Sequence, residues 1–162
     1  FLSESLPSMV PIRMPEIEIP TDSKTVSYSN GKLTLNSPNG TSTASLSGLP
    51  VNYRITMKIK PLTNYDEIGL FVRAATQEGE LNANKESAFI YNTGINTVKD
   101  LRGEITLDLI LKDEFIDMNI NGKRSIINRL PEKKGHKLFF FLKNGSAEIK
   151  DIKISQWSNG IW

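Results

Sequence analysis

Alternating apolar and polar residues mark the stretch that begins at Gly103. The odd positions are apolar between residues 105 and 111, and the even positions are apolar between residues 116 and 120. Alternation with a period of two places one face of a strand on a core and the other face in water. The parity changes across residues 112–114, as it does in a hairpin turn. This stretch therefore predicts two half-buried strands joined by a tight turn.

The same alternation recurs along most of the chain. Residues 51–60 alternate most regularly, whereas residues 138–142 are all apolar, which predicts a central strand covered on both faces. About eleven short strands are predicted: residues 25–29, 32–36, 41–47, 51–60, 67–75, 88–91, 103–111, 115–120, 123–129, 137–143 and 147–157. There is no convincing amphipathic helix, so the pattern predicts an all-β sandwich or barrel.

Asn-Gly dipeptides mark several of the predicted turns. Both residue types tolerate positive φ, so Asn30-Gly31 between two strands predicts a type I′ hairpin. Pro38-Asn39-Gly40 and Asn144-Gly145 are interpreted as turns as well. The apolar parity shifts after Ile149, which predicts a β-bulge at Lys150-Asp151.

The first twenty residues follow a different pattern, because prolines recur at positions 7, 11, 15 and 20. Proline fixes φ and lacks an N–H, so this segment is expected to be extended and not a helix or a central strand. We divide the chain into an extended linker or N-terminal arm, residues 1–22, and a single β-sandwich domain, residues 23–162. A linker is the preferred interpretation, and an arm lying against the sheet is the alternative.

Length, composition and charge narrow the classes of protein. The 162 residues are 38% apolar, which suits one domain with one core. With 20 basic and 18 acidic side chains, the chain is not expected to bind nucleic acid or a membrane surface. The absence of cysteine excludes disulfides, a thiol nucleophile and a thiolate metal site. Phe1 begins the chain, so we expect a processed protein or a fragment.

The residues that usually carry catalysis are sparse. His136 is the only histidine and no partner for a catalytic triad is evident, so a surface position in a turn is expected. Sugar hydrolases use two carboxylates roughly 5–10 Å apart, but Asp113, Glu114 and Asp117 fit the solvated edge of a hairpin. Calcium bound by loop oxygens stays an alternative. Because no Asp-x-Asp-x-Asp-Gly spacing occurs, no metal and no cofactor are predicted.

Aromatic and polar residues outside the predicted core faces are the candidates for a binding site. Sugars pack their C–H faces on aromatic rings, and Arg or Asn side chains fix the hydroxyl groups. Four residues are the candidates for substrate binding: Arg73, Tyr91, Asn119 and Trp157. Single exposed aromatics are also common on surfaces that bind nothing, which is the alternative interpretation.

Several segments resemble the C-terminal β-sandwich domain that accompanies the glycoside hydrolase family 32 enzymes, the β-fructosidases. The resemblance is carried by LRGEITLD at residues 101–108 and FIDMNINGKR at residues 115–124. It continues in four further segments: residues 127–129, 137–141, 144–154 and 68–73. The resemblance implies a concanavalin A-like sandwich of the jelly-roll type. It also implies a partner, the five-bladed propeller that carries catalysis in that family.

The family places its nucleophilic aspartate in an Asp-Pro-Asn-Gly context, but Ser37 precedes Pro38-Asn39-Gly40 here. Catalytic residues are therefore not expected in this chain. The resemblance implies a non-catalytic accessory domain that supports or docks on a catalytic domain of a secreted, periplasmic or cell-surface fructan-degrading enzyme. The alternative is a carbohydrate-binding module that recognises a sugar directly. An exposed line of aromatics with Arg or Asn neighbours would favour the module, and an exposed apolar patch would favour docking.

Overall fold

The computed structural model describes residues 9–20, 25–74, 88–92, 103–129 and 135–157. These residues form ten β-strands and contain no helix. For residues 73–74, 88–92 and 123–129 only the backbone is described. The strands are β1 Met9–Ile12, β2 Val26–Ser29, β3 Lys32–Leu46, β4 Tyr53–Pro61, β5 Glu67–Ala74, β6 Ala88–Asn92, β7 Ile105–Lys112, β8 Phe115–Ile120, β9 Lys123–Arg129 and β10 Lys137–Trp157. Within these residues, no helix could cross a membrane.

Two antiparallel sheets share the long strands β3 and β10. The front sheet has the order β2-β3-β10-β4-β7-β8-β9, and it uses residues 32–37 of β3 and 145–157 of β10. The back sheet consists of residues 41–46 of β3, residues 137–143 of β10, β5 and β6. Side chains from both sheets meet in one buried cluster. The prediction of an all-β antiparallel sandwich is confirmed.

The alternating strands supply the core as the sequence predicts. In β4, the residues at positions 53, 55, 57 and 59 pair with apolar residues of β7, and all are at most 3% exposed. The opposite face of β4 carries Arg54, Thr56, Lys58 and Lys60 toward solvent. Hydrophobic burial on one face and hydration on the other thus fix the register of these strands.

The prediction that residues 138–142 form a central strand covered on both faces is confirmed. This part of β10 lies between β3 and β5, and its even positions point into the main core. Phe139 and Phe141 point the other way and form a second buried cluster with Phe71. The rings of Phe71 and Phe141 lie 5.1 Å apart, within the range of favourable aromatic pairs.

The predicted turns at residues 38–40 and 144–145 are wrong, because both lie inside continuous strands where β3 and β10 bend from one sheet into the other. Asn144 (φ 56°) accepts a 2.8 Å hydrogen bond from the Gly40 N–H, which holds the two bends together. Two pairs of predicted strands therefore merge, and β1 is an additional strand. The described residues form ten strands instead of about eleven.

The predictions of a hairpin at Asn30-Gly31 and of a bulge near Asp151 are confirmed. Asn30 and Gly31 have φ of 52° and 73°, as a type I′ turn requires, and they connect β2 to β3. Asp151 has φ of 54°, and the register between β10 and β4 shifts between Lys150 and Lys153. The bulge restores the inward direction of Ile154.

Residues 9–20 of the proline-containing segment lie against the sandwich. Strand β1 pairs with the end of β10, from Met9 opposite Trp157 to Ile12 opposite Ile154. Ile17 is 9% exposed and belongs to the core cluster. The described part therefore behaves as an arm of the sandwich, while the division into residues 1–22 and 23–162 stays a prediction.

Gly145 allows the closest backbone approach at the bend of β10. A Cβ atom there would lie 2.5 Å from the Asn64 carbonyl oxygen and 2.9 Å from the Tyr65 Cα. Backbone atoms cannot rotate away as a flexible side chain can. We therefore predict that Gly145→Ala lowers the free energy of unfolding by about 1–3 kcal/mol, measured by urea denaturation.

Gly103→Ala is the matched control for this prediction. A Cβ atom at Gly103 would meet nothing within 4 Å, and Gly103 has no positive φ. Gly103→Ala should leave the free energy of unfolding close to the wild-type value. Equal stability of the two variants would contradict the role assigned to Gly145.

Candidate functional site

The four candidates for substrate binding lie on different sheets. Asn119 on β8 and Trp157 at the end of β10 belong to the front sheet, whereas Arg73 on β5 and Tyr91 on β6 belong to the back sheet. The structure therefore does not bring all four together. The side chains of Arg73 and Tyr91 lie outside the described part of the structure, and their role stays a prediction.

The other two candidates lie on the outer face of the front sheet, where neighbouring charged residues already form contacts. Asn119 pairs with Asp108 across β7 and β8. Asp108 accepts two hydrogen bonds from Arg54, 2.9 and 2.7 Å long, and this contact raises the pKa of Arg54. Lys112 Nζ lies 5.2 Å from the centre of the Trp157 ring, a cation–π contact. Both candidates on this face thus lie beside residues that already form contacts.

A concave site lies between residues 13–19 and β2. We call it the Tyr28 groove, and it consists of two adjoining depressions. The larger has a volume of about 660 Å³ and is lined by Arg13, Met14, Pro15, Glu16, Ile17, Ile19 and Tyr28. The smaller has a volume of about 250 Å³ and is lined by Met14, Tyr28, Asn30, Gly31, Lys32, Lys150, Asp151 and Ile152.

The alternation of β2 explains how Tyr28 comes to line this groove. Val26 and Tyr28 lie on the same face of the strand, and Val26 belongs to the core. Tyr28 pairs with the buried Leu33, yet it remains 37% exposed at the rim of the sandwich. Partly buried Met14 and Ile152 pack against the core beside it. The result is an apolar floor with one accessible aromatic ring.

Charged side chains border this floor, and only some of them form ion pairs. Lys32, Lys150 and Asp151 form ion pairs with Glu148, Glu104 and Lys58 at 3.5–3.7 Å. Arg13 and Glu16 are exposed, and neither forms an ion pair with any of the residues described. With respect to the residues described, a hydrogen-bond donor and an acceptor without an ion-pair partner therefore stand at the edge of the larger depression.

Glu18 connects the segment that lines the groove, residues 13–19, to the back sheet. Its backbone exchanges hydrogen bonds of 2.8 and 2.9 Å with Ser45, and its carboxylate lies 3.5 Å from Lys137 Nζ. Three groups lower the pKa of Glu18: the Ser47 hydroxyl, which contributes most, Lys137 and Ser45. Burial of the carboxylate acts in the opposite direction and raises the pKa. With β1 paired to β10, the segment is held on both sides of residues 13–17.

The residues considered for catalysis have ordinary structural surroundings. His136 is exposed, and its Nδ1 donates a 2.7 Å hydrogen bond to the Leu49 carbonyl. Its backbone carbonyl accepts a 3.0 Å hydrogen bond from the Leu49 N–H. Asp113 and Glu114 form the hairpin turn, and Asp117 is half-buried on the outer face of β8. No three acidic or histidine side chains among the described residues are placed to hold a metal ion.

Sequence reasoning missed the groove because its main wall was interpreted as a linker. The signal was present, since Ile12, Met14, Ile17 and Ile19 give the segment the apolar side chains that an arm would bury. Tyr28 also followed the core residue Val26 at the spacing of a strand face. The packing of the segment beside β2 depends on contacts distant in sequence, which local patterns do not reveal.

Comparisons with known proteins show the fold and leave the family open. No protein-family model matches the chain, and no curated protein matches its sequence. The carbohydrate-binding module CBM66 from Bacillus subtilis is similar with a TM-score of 0.62 and 11% identity, over 88% of this chain and 97% of that one.

Enzymes share the fold as well. The catalytic domain of an endo-1,3-beta-glucanase (laminarinase) from Thermotoga petrophila is similar with a TM-score of 0.57 and 10% identity, over 95% of this chain and 100% of that one. A sialidase matches with a TM-score of 0.57 and 12% identity over 86% of this chain but only 16% of its own length. The chain thus has a sandwich fold found in carbohydrate-binding and glycosidase domains, and the fold alone does not separate binding from catalysis.

The lowered pKa of Glu18 predicts a pH-dependent stability. A carboxylate with a lower pKa in the folded than in the unfolded state stabilises the fold above its unfolded pKa. That contribution disappears as the pH falls through the lowered folded pKa. Glu18→Gln should remove this part of the pH dependence, measured as the free energy of unfolding in urea from about pH 6 to pH 3.

Lys137→Met tests the same contact from the other side. It leaves the Glu18 carboxylate in place and removes the cation, so it should reduce the pH dependence in the same direction. Identical pH profiles for Glu18→Gln and the wild type would contradict the assignment.

Proposed function

We propose that the chain is a carbohydrate-binding accessory domain and that the Tyr28 groove holds the sugar. One observation carries the proposal. An accessible aromatic ring, 37% exposed, lies in an open depression of about 660 Å³ with apolar and polar lining residues, and Arg13 and Glu16, which form no ion pair with the residues described, stand at its edge. Its volume falls within the range of about 300–1,000 Å³ that is typical for sites binding small molecules.

The chemistry of the groove matches that of a sugar. The C–H face of a pyranose or furanose ring packs on the Tyr28 ring, while Met14 and Ile17 exclude water beneath it. Arg13 donates hydrogen bonds to ring hydroxyl groups, and Glu16 accepts them. Hydrogen bonds to charged groups are stronger than those between neutral groups, which favours a polar ligand over an apolar one.

A binding role without catalysis is supported by the carboxylates at the groove. Glycoside hydrolysis requires two of them, roughly 5–10 Å apart on either side of one bond. Glu16 is the unpaired carboxylate among the described lining residues, whereas Asp151 pairs with Lys58 at 3.6 Å. The similarity to CBM66 supports the same choice, although the laminarinase shares the fold.

We further propose that the parent protein is a fructan-degrading glycosidase of the family 32 kind, active outside the cytoplasm. The resemblance of residues 101–108 and 115–124 to the accessory sandwich of that family supports this assignment. Under it, the chain accompanies a separate catalytic domain and concentrates that domain on its substrate. Fructans such as levan and inulin are then the first polysaccharides to test.

Docking on that catalytic domain is the second candidate function. It is favoured by Phe115, which is 62% exposed at the hairpin between β7 and β8. Phe115 is the strand partner of Lys112, whose Nζ lies 5.2 Å from the centre of the Trp157 ring. Among the residues whose side chains are described, the other large exposed apolar residues are Val10, Ile19, Tyr28 and Leu62.

A glycan screen tests the proposed function. The isolated chain should bind at least one polysaccharide from a panel that includes levan, inulin and laminarin, with a saturable isotherm in calorimetry. Tyr28→Ala should weaken this binding at least tenfold, which corresponds to about 1.4 kcal/mol, because it removes the stacking surface.

Phe115→Ala is the matched control, since it removes an exposed aromatic ring that does not line the groove. It should leave sugar binding unchanged, and both variants should retain the wild-type unfolding transition. Loss of binding in Phe115→Ala but not in Tyr28→Ala would place the sugar site at the hairpin between β7 and β8 instead of the Tyr28 groove. Binding to none of the polysaccharides would leave docking as the function.

A further inference from the structure

We propose that the Tyr28 groove binds a neutral oligosaccharide across two subsites, with the Tyr28 ring at their junction. This inference rests on the proposed function and adds the length and charge class of the ligand. The larger depression forms one subsite, and the smaller depression, beside the Asn30-Gly31 turn, forms the other.

The two depressions adjoin each other. Both are lined by Met14 and Tyr28, so a bound chain passes over these two side chains without leaving the groove. Tyr28 is the aromatic side chain shared by the two linings. Its ring is thus placed to contact the sugar units on either side of a glycosidic bond.

The smaller depression originates in a gap along one edge of β10. On that edge, β3 pairs with β10 as far as Lys150, and β1 begins to pair at Ile154. No strand that the structure describes pairs with residues 151–153 there. The bulge at Asp151 (φ 54°) and the tip of the β2–β3 hairpin border this gap. Backbone groups at an open sheet edge are ready partners for hydroxyl groups.

The sizes of the depressions favour an oligosaccharide over a single sugar. The smaller, at about 250 Å³, is below the range of about 300–1,000 Å³ that holds whole drug-sized ligands, so it suits one sugar ring. The larger, at about 660 Å³, holds more than the smaller. A monosaccharide would fill only part of the groove and leave the rest of its apolar floor in water.

The charges at the smaller subsite favour a ligand without charge. Lys32 and Lys150 are neutralised by Glu148 and Glu104, and Asp151 by Lys58. Arg13 and Glu16 contribute one charge of each sign at the larger subsite. A uronate or an amino sugar would therefore meet no excess of opposite charge, whereas neutral hydroxyl groups find donors and acceptors along the whole groove.

Calorimetry with saccharides of increasing length tests the inference. The probes are fructose with inulin-type fructooligosaccharides of two to five units, and glucose with β-1,3-linked glucooligosaccharides of the same lengths. In the series that binds, the dissociation constant should fall at least tenfold between one unit and three, and then level off as the groove fills. Galacturonic acid oligomers of the same lengths should bind at least tenfold more weakly.

Two variants separate the subsites. Arg13→Gln acts at the larger subsite and should weaken the binding of every length. Lys150→Ala acts at the smaller one and should weaken only the longer oligomers, leaving the monosaccharide unchanged. Lys60→Ala, an exposed lysine of β4 outside both linings, is the control and should change nothing. Unfolding transitions of all variants establish that they remain folded.

The outcomes distinguish this inference from the proposed function. If no saccharide of either series binds, both fail. If the monosaccharide binds as tightly as the longest oligomer, or Lys150→Ala affects all lengths equally, the two-subsite arrangement is wrong while sugar binding stands. Tighter binding of the galacturonic acid oligomers would overturn the neutral ligand alone.

Discussion

The sharing of one strand by both sheets is the constraint on which the rest of this structure depends. Strand β10 pairs with β1, β3, β4 and β5, so it must be apolar on both faces in its first half and on one face afterwards. The change occurs at the bend near Gly145, where the backbone of Tyr65 leaves no room for a side chain. Hydrophobic burial around this strand joins the two sheets into one core.

The groove follows from the same strand. After the bulge at Asp151, β10 exchanges one neighbour, β3, for another, β1, and a gap remains between them. The segment that follows β1 then runs to Glu18, whose backbone forms two hydrogen bonds with that of Ser45 on β3. Tyr28 lines the space between this segment and β2, and its ring remains 37% exposed. The candidate site thus exists because the sheet edge is incomplete.

The alternation of short-range patterns predicted most strands, the hairpin at Asn30-Gly31 and the bulge at Asp151. These patterns did not distinguish the hairpin at Asn30-Gly31 from the bend at Asn144-Gly145, because both contain the same dipeptide. Contacts with residues distant in sequence, such as Gly40, determine that Asn144-Gly145 lies in a bend within a strand. The placement of Asn119 on the face of β8 opposite the core was likewise readable from parity, whereas Trp157 was predicted only to lie near a strand end. The groove was not, because its walls come from segments that only the tertiary packing brings together.

Sugar recognition in the Tyr28 groove is the central claim. Its most direct test is to map backbone amide shifts by NMR while the best-binding oligosaccharide is added to the isotopically labelled chain. If the sugar binds in the groove, the largest shifts should fall on Met14, Tyr28 and Asp151. Shifts confined to Lys112, Asn119 and Trp157 would contradict this claim and place the sugar on the outer face of the front sheet.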